Sequence, residues 1–308
     1  MWYFFRQAED FPSTTSALNA EVAFRDRHLS GLLEKRMDGK TGAVMVFASG
    51  TPAGAYLLQD NSCQPIGLAE FTLLDSPAEQ GHRAIQLPNR AMRLVWLSLE
   101  SQVQDVFTIP SDAAWQAQVR TWQDQKWSGL VEVRAEDCHG LALFWDGAVQ
   151  TPDVFFSSAR GFGDDLFHAA GPRQVVTFGL SDSAQAYQCA VLRQGATHWS
   201  NKALGRYRDL VGQKLLRSLE RELNRQIQPW NWDIYIEDGA LTDGHFFLHT
   251  DYAAHAYRAI LMSMGGQMNF VIGNNLTQKL LSETFASVPV NETTQLQAHR
   301  LIPAAFSE

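Results

Sequence analysis

The sequence predicts an α+β protein: two related antiparallel-sheet modules, then a mainly helical C-terminal region with a small β-hairpin. Three observations lead there. Ser30-Gly31-Leu32-Leu33-Glu34-Lys35-Arg36 recurs as Ser128-Gly129-Leu130-Val131-Glu132-Val133-Arg134, with Gly42 and Gly140 each twelve positions beyond the serine. Both copies continue into apolar runs broken by Ser49-Gly50 and Asp146-Gly147, small-residue pairs that tolerate the positive φ angles of tight hairpins. Past residue 200, apolar residues return every three or four positions, the spacing of a helix with one buried stripe.

The elements follow in order. Residues 17–33 suit a helix, with Ser30-Gly31 able to begin a strand; residues 42–47 read as a buried strand, Ser49-Gly50 as a turn and 52–58 as the return strand. Residues 93–99 look like a further strand, and Ile109-Pro110-Ser111-Asp112 carries the start signals of a helix over 113–123. The second copy supplies strands over 130–134, 140–145 and 149–156. Two more strands are expected over 174–180 and 186–192. One long helix is expected over 204–227, ended by Pro229. A strand over 232–236, a turn at Glu237-Asp238-Gly239 and a second strand through Phe246-Phe247-Leu248 make the hairpin. Thr250 or Asp251 then caps a helix over 252–264, which Gly265-Gly266 should stop or kink, since each glycine costs about 1 kcal/mol inside a helix. A helix over 276–285 follows, and the polar stretch 291–297 reads as loose. The expected divisions are 1–108, 109–199 and 200–308. Beyond the central glycines the copies differ by one residue, eight positions to Gly50 and seven to Gly147, so divergence is expected at that hairpin.

Composition narrows the function classes. Hydrophobic residues make up 45% of the 308, enough for real cores. A net charge of −8 argues against a general nucleic-acid or anionic-membrane surface. Cys63, Cys138 and Cys189 lie too far apart for a zinc or redox spacing and read as thiols of a reducing compartment, the cytoplasm by default. The aromatic N-terminus lacks a basic lead and a cleavage site, so no leader is expected. The longest uncharged interval, 259–278, contains too many Gly, Asn and Gln residues for a membrane span.

No catalytic, cofactor or metal site is expected, yet several groupings bear on chemistry. His245, His249 and Asp251, with His255 nearby, have the residue types of a facial metal triad and so suggest a metal-dependent enzyme. A strand followed by a helix cap would keep them apart. Lys214, Arg217, Arg221 and Arg225 recur at helical spacing; residues 202–225 hold seven basic and three acidic residues. That stripe could grip nucleic acid or another anionic surface, or be a solvated face compensated by Asp209, Glu220 and Glu222. Trp230 and Trp232 could anchor a partner, with core packing as the default alternative. Residues 161–165 begin like a phosphate loop but lack the third glycine and carry two aspartates. Ser181 lacks the final glycine of a nucleophile elbow, and adjacent Cys138 and His139 would point apart in a strand.

The repeated pattern has the form small-Gly-apolar-apolar-Glu, a turn, Gly-apolar-x-apolar-Phe, then Gly. It resembles the PATAN family, small α+β modules of bacterial signalling proteins often found beside response-regulator receiver domains. The first copy, with residues 42–47 then Ser49-Gly50-Thr51-Pro52, is also similar to roadblock/LC7 modules, which bind small GTPases. These resemblances imply a non-catalytic adaptor whose partner is a response regulator or a small GTPase, and carry over no catalytic residues.

Overall fold

The Ser-Gly step of the repeat opens a strand in both copies. The computed structural model describes residues 17–37, 41–59, 62–74, 82–135, 139–156 and 171–301, in two compact units, Met1–Ala186 and Tyr187–Glu308. The first unit runs α1 (Ala17–Asp26), β1 (Gly31–Arg36), β2 (Thr41–Ala48), β3 (Thr51–Gln59), β4 (Ser62–Ile66), α2 (Leu68–Leu73), β5 (His82–Gln86) and α3 (Asn89–Leu99). It continues through β6 (Gln102–Ile109), α4 (Asp112–Asp124), β7 (Gly129–Arg134), β8 (His139–Trp145), β9 (Ala148–Phe156) and β10 (Arg173–Gly179). Two five-stranded antiparallel sheets result, ordered β4-β3-β2-β1-β5 and β6-β10-β7-β8-β9. The fold is α+β with related sheet modules, as the repeat implies.

The duplication extends beyond the strands, back into the helix before each copy. Phe24 and Trp122, His28 and Lys126, Leu29 and Trp127, and Ser30 and Ser128 share one constant offset and one geometry. Leu29 N donates to Phe24 O and Trp127 N to Trp122 O, both at 2.9 Å, while His28 and Lys126 take left-handed φ of 52° and 50°. The hydroxyl of Ser30 accepts Ser49 N, and that of Ser128 accepts Asp146 N, each at 2.9 Å. Gly50 N and Gly147 N donate back to Leu29 O and Trp127 O at 2.7 and 2.8 Å. Each hairpin is thereby tied to the end of its own preceding helix, and an aromatic pair, Phe24–Phe47 or Trp122–Phe144, fills the space beneath.

Register corrects the sequence alignment. Arg36 pairs with Gly42, but Arg134 pairs with His139, so His139, not Gly140, occupies the place of Gly42. The one-residue difference falls between the first two strands, and the Ser49-Gly50 and Asp146-Gly147 turns match in φ. The copies do differ beyond that turn: β3 takes one step of register after Val46, whereas β9 bulges between Val149 and Val154.

α3 replaces the strand expected over 93–99. Every residue from Ala91 to Leu99 is buried, because α3 packs against β2 of one sheet and β7, β8 and β9 of the other. Asn89, Arg90 and Arg93 keep a helical spacing, but the short apolar window 94–97 taken alone reads like a buried strand. The far faces of the sheets are closed by α1 and α2, through Phe24 and Phe71, over Leu33, Met45 and Phe47, and by α4 over Val131, Val133 and Phe144. α4 starts where its signals place it, with the Ser111 hydroxyl accepting Ala114 N. β6 belongs to the second sheet, so that module begins before residue 109.

The second region is mainly helical with a small hairpin: α5 (Gln185–Val211), α6 (Gln213–Ile227), β11 (Ile234–Glu237), β12 (Ala240–Asp243), α7 (Thr250–Ile272), α8 (Asn274–Ala286) and α9 (Val290–Ala298). Residues 186–192 are the start of α5, not a strand, and α5 runs through residue 199. The single helix expected over 204–227 is broken by Gly212, whose φ of +79° no helix accommodates. Phase shifts across the break: Leu216, Leu219, Leu223 and Ile227 are buried and Leu215 is exposed. The hairpin closes through β12, while Phe246 and Phe247 lie in irregular chain and are buried.

α7 continues through Gly265-Gly266 to Ile272, because its buried side extends to Met264 and Met268 and outweighs the two glycine costs. The residue before its first turn is His249, with no side-chain cap. Residues 291–297 are helical as well. Arg258 holds the end of α9 through His299 O at 2.6 Å and Arg300 O at 3.1 Å, and Leu296 is fully buried. No helix of the described residues is long and apolar enough to cross a membrane.

Candidate functional site

α6 has two chemical sides. Leu216, Leu219, Leu223 and Ile227 face inward, while Lys214, Arg217, Arg221 and Arg225 are exposed at intervals of three and four. Two polar residues on the inner side fix the hairpin against the helix. Buried Glu220 accepts Gly239 N at 2.6 Å, and the Asn224 amide both donates to Ile236 O and accepts Ile236 N at 2.8 Å. Asn224 therefore pairs with a strand residue as a neighbouring strand would. Pro229 lies in a single turn of 3-10 helix, Gln228–Trp230, and Asn231 reverses the chain with a left-handed φ of 54°.

That reversal brings Trp230 and Trp232 face to face, with ring centroids 5.2 Å apart and planes 15° from parallel. Trp232 is half-buried against Phe247; Trp230 is 55% exposed, contrary to the core-packing default. Between α6 and the start of β11 lies an open cleft of about 610 Å³, lined by Arg221, Asn224, Arg225, Trp232, Asp233 and Tyr235 among others. Arg221, Arg225 and Trp232 thus meet in one cleft with Trp230 stacked behind. Lys214 and Arg217 stand earlier on the same helix and do not line it.

The charge of the stripe is only partly neutralised. Glu222 receives Arg225 Nη2 at 2.6 Å and Nε at 3.0 Å, and also Gln226. Those bonds, Arg225 first and Gln226 second, hold its carboxyl down to about 2. Asp209 is turned to Arg208 at 3.8 Å, and Glu220 is committed to the hairpin. Among the described residues Lys214, Arg217 and Arg221 have no ion-pair partner, so the stripe keeps uncompensated positive charge along α6, while Asp233 places a carboxylate in the cleft lining.

The other groupings are not assembled. His245 Nδ1 faces Asp233 N at 3.4 Å and its ring meets Phe247, His249 lies beside Tyr252, and His255 lies 6.0 Å from Trp230. Among the described residues no group of three His, Cys, Asp or Glu is placed to hold a metal ion, so His245, His249 and Asp251 do not converge. The Ser181 hydroxyl pairs with Ser183 at 3.0 Å. Residues 161–165 and Cys138 lie outside the described residues. A pair not apparent in the sequence is His198 Nδ1 with Glu292 Oε2 at 2.9 Å, joining α5 to α9 across 94 positions; no local signal marks it. Comparison with known proteins finds no matching family model, no matching curated protein and no matching solved structure.

Proposed function

We propose that this chain is a non-catalytic signalling or regulatory adaptor that binds an acidic segment of a protein partner at the α6–β11 cleft. The observation that carries the reading is the exposed Trp230 stacked on half-buried Trp232, beside Arg221. Aromatic and arginine side chains dominate the energetics of protein interfaces, and a tryptophan left in water beside a cleft is the kind of anchor a partner buries. The uncompensated charge of Lys214, Arg217 and Arg221 favours an acidic partner and speeds encounter. The duplicated strand-and-hairpin pattern, with its likeness to PATAN and, in the first copy, roadblock modules, supports a scaffold role with a response regulator or a small GTPase as partner.

Affinity capture with the full chain, compared with Trp230→Ala and Arg221→Glu, tests this. The expected result is a reproducible acidic protein retained by the wild type and lost from both variants, with at least about tenfold weaker binding once the partner is purified. A partner retained equally by all three overturns the assignment of the cleft. Binding to DNA or anionic vesicles that falls steeply with salt and depends on Lys214, Arg217 and Arg221 would favour the anionic-surface reading instead.

A further inference from the structure

The two sheets end differently on one side. β5 is the last strand of its sheet among the described residues, whereas its equivalent, β10, carries β6 on the side away from β7. Through their partners in β1 and β7, His82 corresponds to Val175, Ala84 to Thr177 and Ile85 to Phe178. β6 is joined to α4 by Pro110 and Ser111 alone. The chain before α1 has the same order of residues. Phe11-Pro12-Ser13 stands at the offset that relates Ser30 to Ser128 and so matches Ile109-Pro110-Ser111, while α1 and α4 end at the matching Asp26 and Asp124. From residue 11 to residue 36 the two copies align without a gap.

We propose that the outer edge of β5 is the docking site of residues 4–11 of the same chain, which pair along it antiparallel as β6 pairs with β10. Those residues lie outside the described ones, and the duplication places them. Val103, Phe107 and Ile109 are the less exposed positions of β6, and Ile109 packs in one core with Trp122. Phe11 matches Ile109 as Phe24 matches Trp122, and Phe5 matches Val103. Glu9 matches Phe107, which lies opposite Val175, so Glu9 falls opposite His82. An acid and a base there replace an apolar cross-strand pair.

Two things select this occupant over any other strand. The second module shows that the segment before the helix fills this edge, and tethering to α1 holds residues 4–11 beside β5 at an effective concentration on the order of millimolar. A free strand edge is a template for pairing with another chain, and the docked segment closes it. The inference is independent of the α6 cleft: either could fail alone.

Hydrogen–deuterium exchange of the full chain, read on peptides covering 82–86, tests it against a variant lacking residues 1–11. Loss of those residues should speed exchange there at least about tenfold and leave 139–145 unchanged. A second measurement keeps the chain whole. Glu9→Cys with His82→Cys should form a disulfide under mild oxidation, mapped by mass spectrometry, whereas Glu9→Cys with Gln86→Cys, about 13 Å further along the strand, should not. If truncation also speeds exchange at 139–145, the disulfide decides alone. Exchange at 82–86 that truncation leaves unchanged overturns the proposal. So does a disulfide from position 9 to 86 in place of 82, or protection of 82–86 that appears only at high protein concentration, the mark of a second chain on the edge.

Discussion

Gly31 and Gly129 recur because a neighbouring strand comes too close for any side chain. A Cβ on Gly31 would lie 2.1 Å from Ile85 O, and one on Gly129 would lie 2.9 Å from Phe178 O and 2.2 Å from the Trp127 ring. Ile85 and Phe178 are equivalent, being the partners of Leu32 and Leu130 in β5 and β10. Gly31→Ala and Gly129→Ala are each expected to cost about 2 kcal/mol or more in urea unfolding. Gly205→Ala, inside α5 with nothing within 4 Å of its Cβ, should instead gain up to about 1 kcal/mol. Glu292 gives a different kind of residue effect. It is fully buried, and its Oε1 has no hydrogen-bond partner while Oε2 holds His198. His198→Ala strands that carboxylate, and a loss of about 2 kcal/mol is expected by the same measurement.

Among the elements, α6 and the β11–β12 hairpin depend on one side chain. Asn224→Ala removes both bonds to Ile236, leaving a strand N–H and C=O unpaired beside the helix. The expected loss is about 2 kcal/mol. Limited proteolysis should show cleavage within the hairpin, and binding at the cleft should fall although no residue of the Trp–Arg group has changed. Element boundaries also separate what the chain announces locally from what it does not. The hairpin turns and the start of α4 carry their own signals in positive-φ pairs and the Ser111 cap. Over 94–97 of α3 and 189–192 of α5 the chain shows only a short apolar run, which periodicity alone does not tell from a buried strand.

At the scale of the molecule, stability should fall at high pH. Burial, and then the charge of Glu100, pushes the Cys63 thiol up to about 12 from its usual 9.0. The same two causes raise Tyr56, which also donates to Glu100 at 3.0 Å, and burial raises Tyr207. Each group prefers its neutral form in the fold, so its contribution is complete below the unfolded pKa. It is lost as the unfolded chain ionises and the native state does not. The urea midpoint is therefore expected to hold to about pH 9 and then fall towards pH 12. Cys63→Ser should make that fall shallower.

The α+β class, the duplicated module, the hairpin turns, α4, α8 and the residues of the basic stripe and tryptophan pair are legible in the order of amino acids alone. These rest on local physics: backbone angles that few residues accept, caps, and alternation on half-exposed elements. The identity of α3, the continuation of α7 through its glycines and the order of α9 emerge only when distant segments pack together. So does the one-residue difference between β1–β2 and β7–β8, which a chance match of Gly42 with Gly140 concealed. The cleft belongs to the same class: Arg221 and Trp232 are legible as residues, but Asn224 and Glu220 bring them together through bonds to Ile236 and Gly239. Long-range pairings leave no periodic trace along the chain, because their energy comes from burial and hydrogen bonds that exist only once distant segments meet.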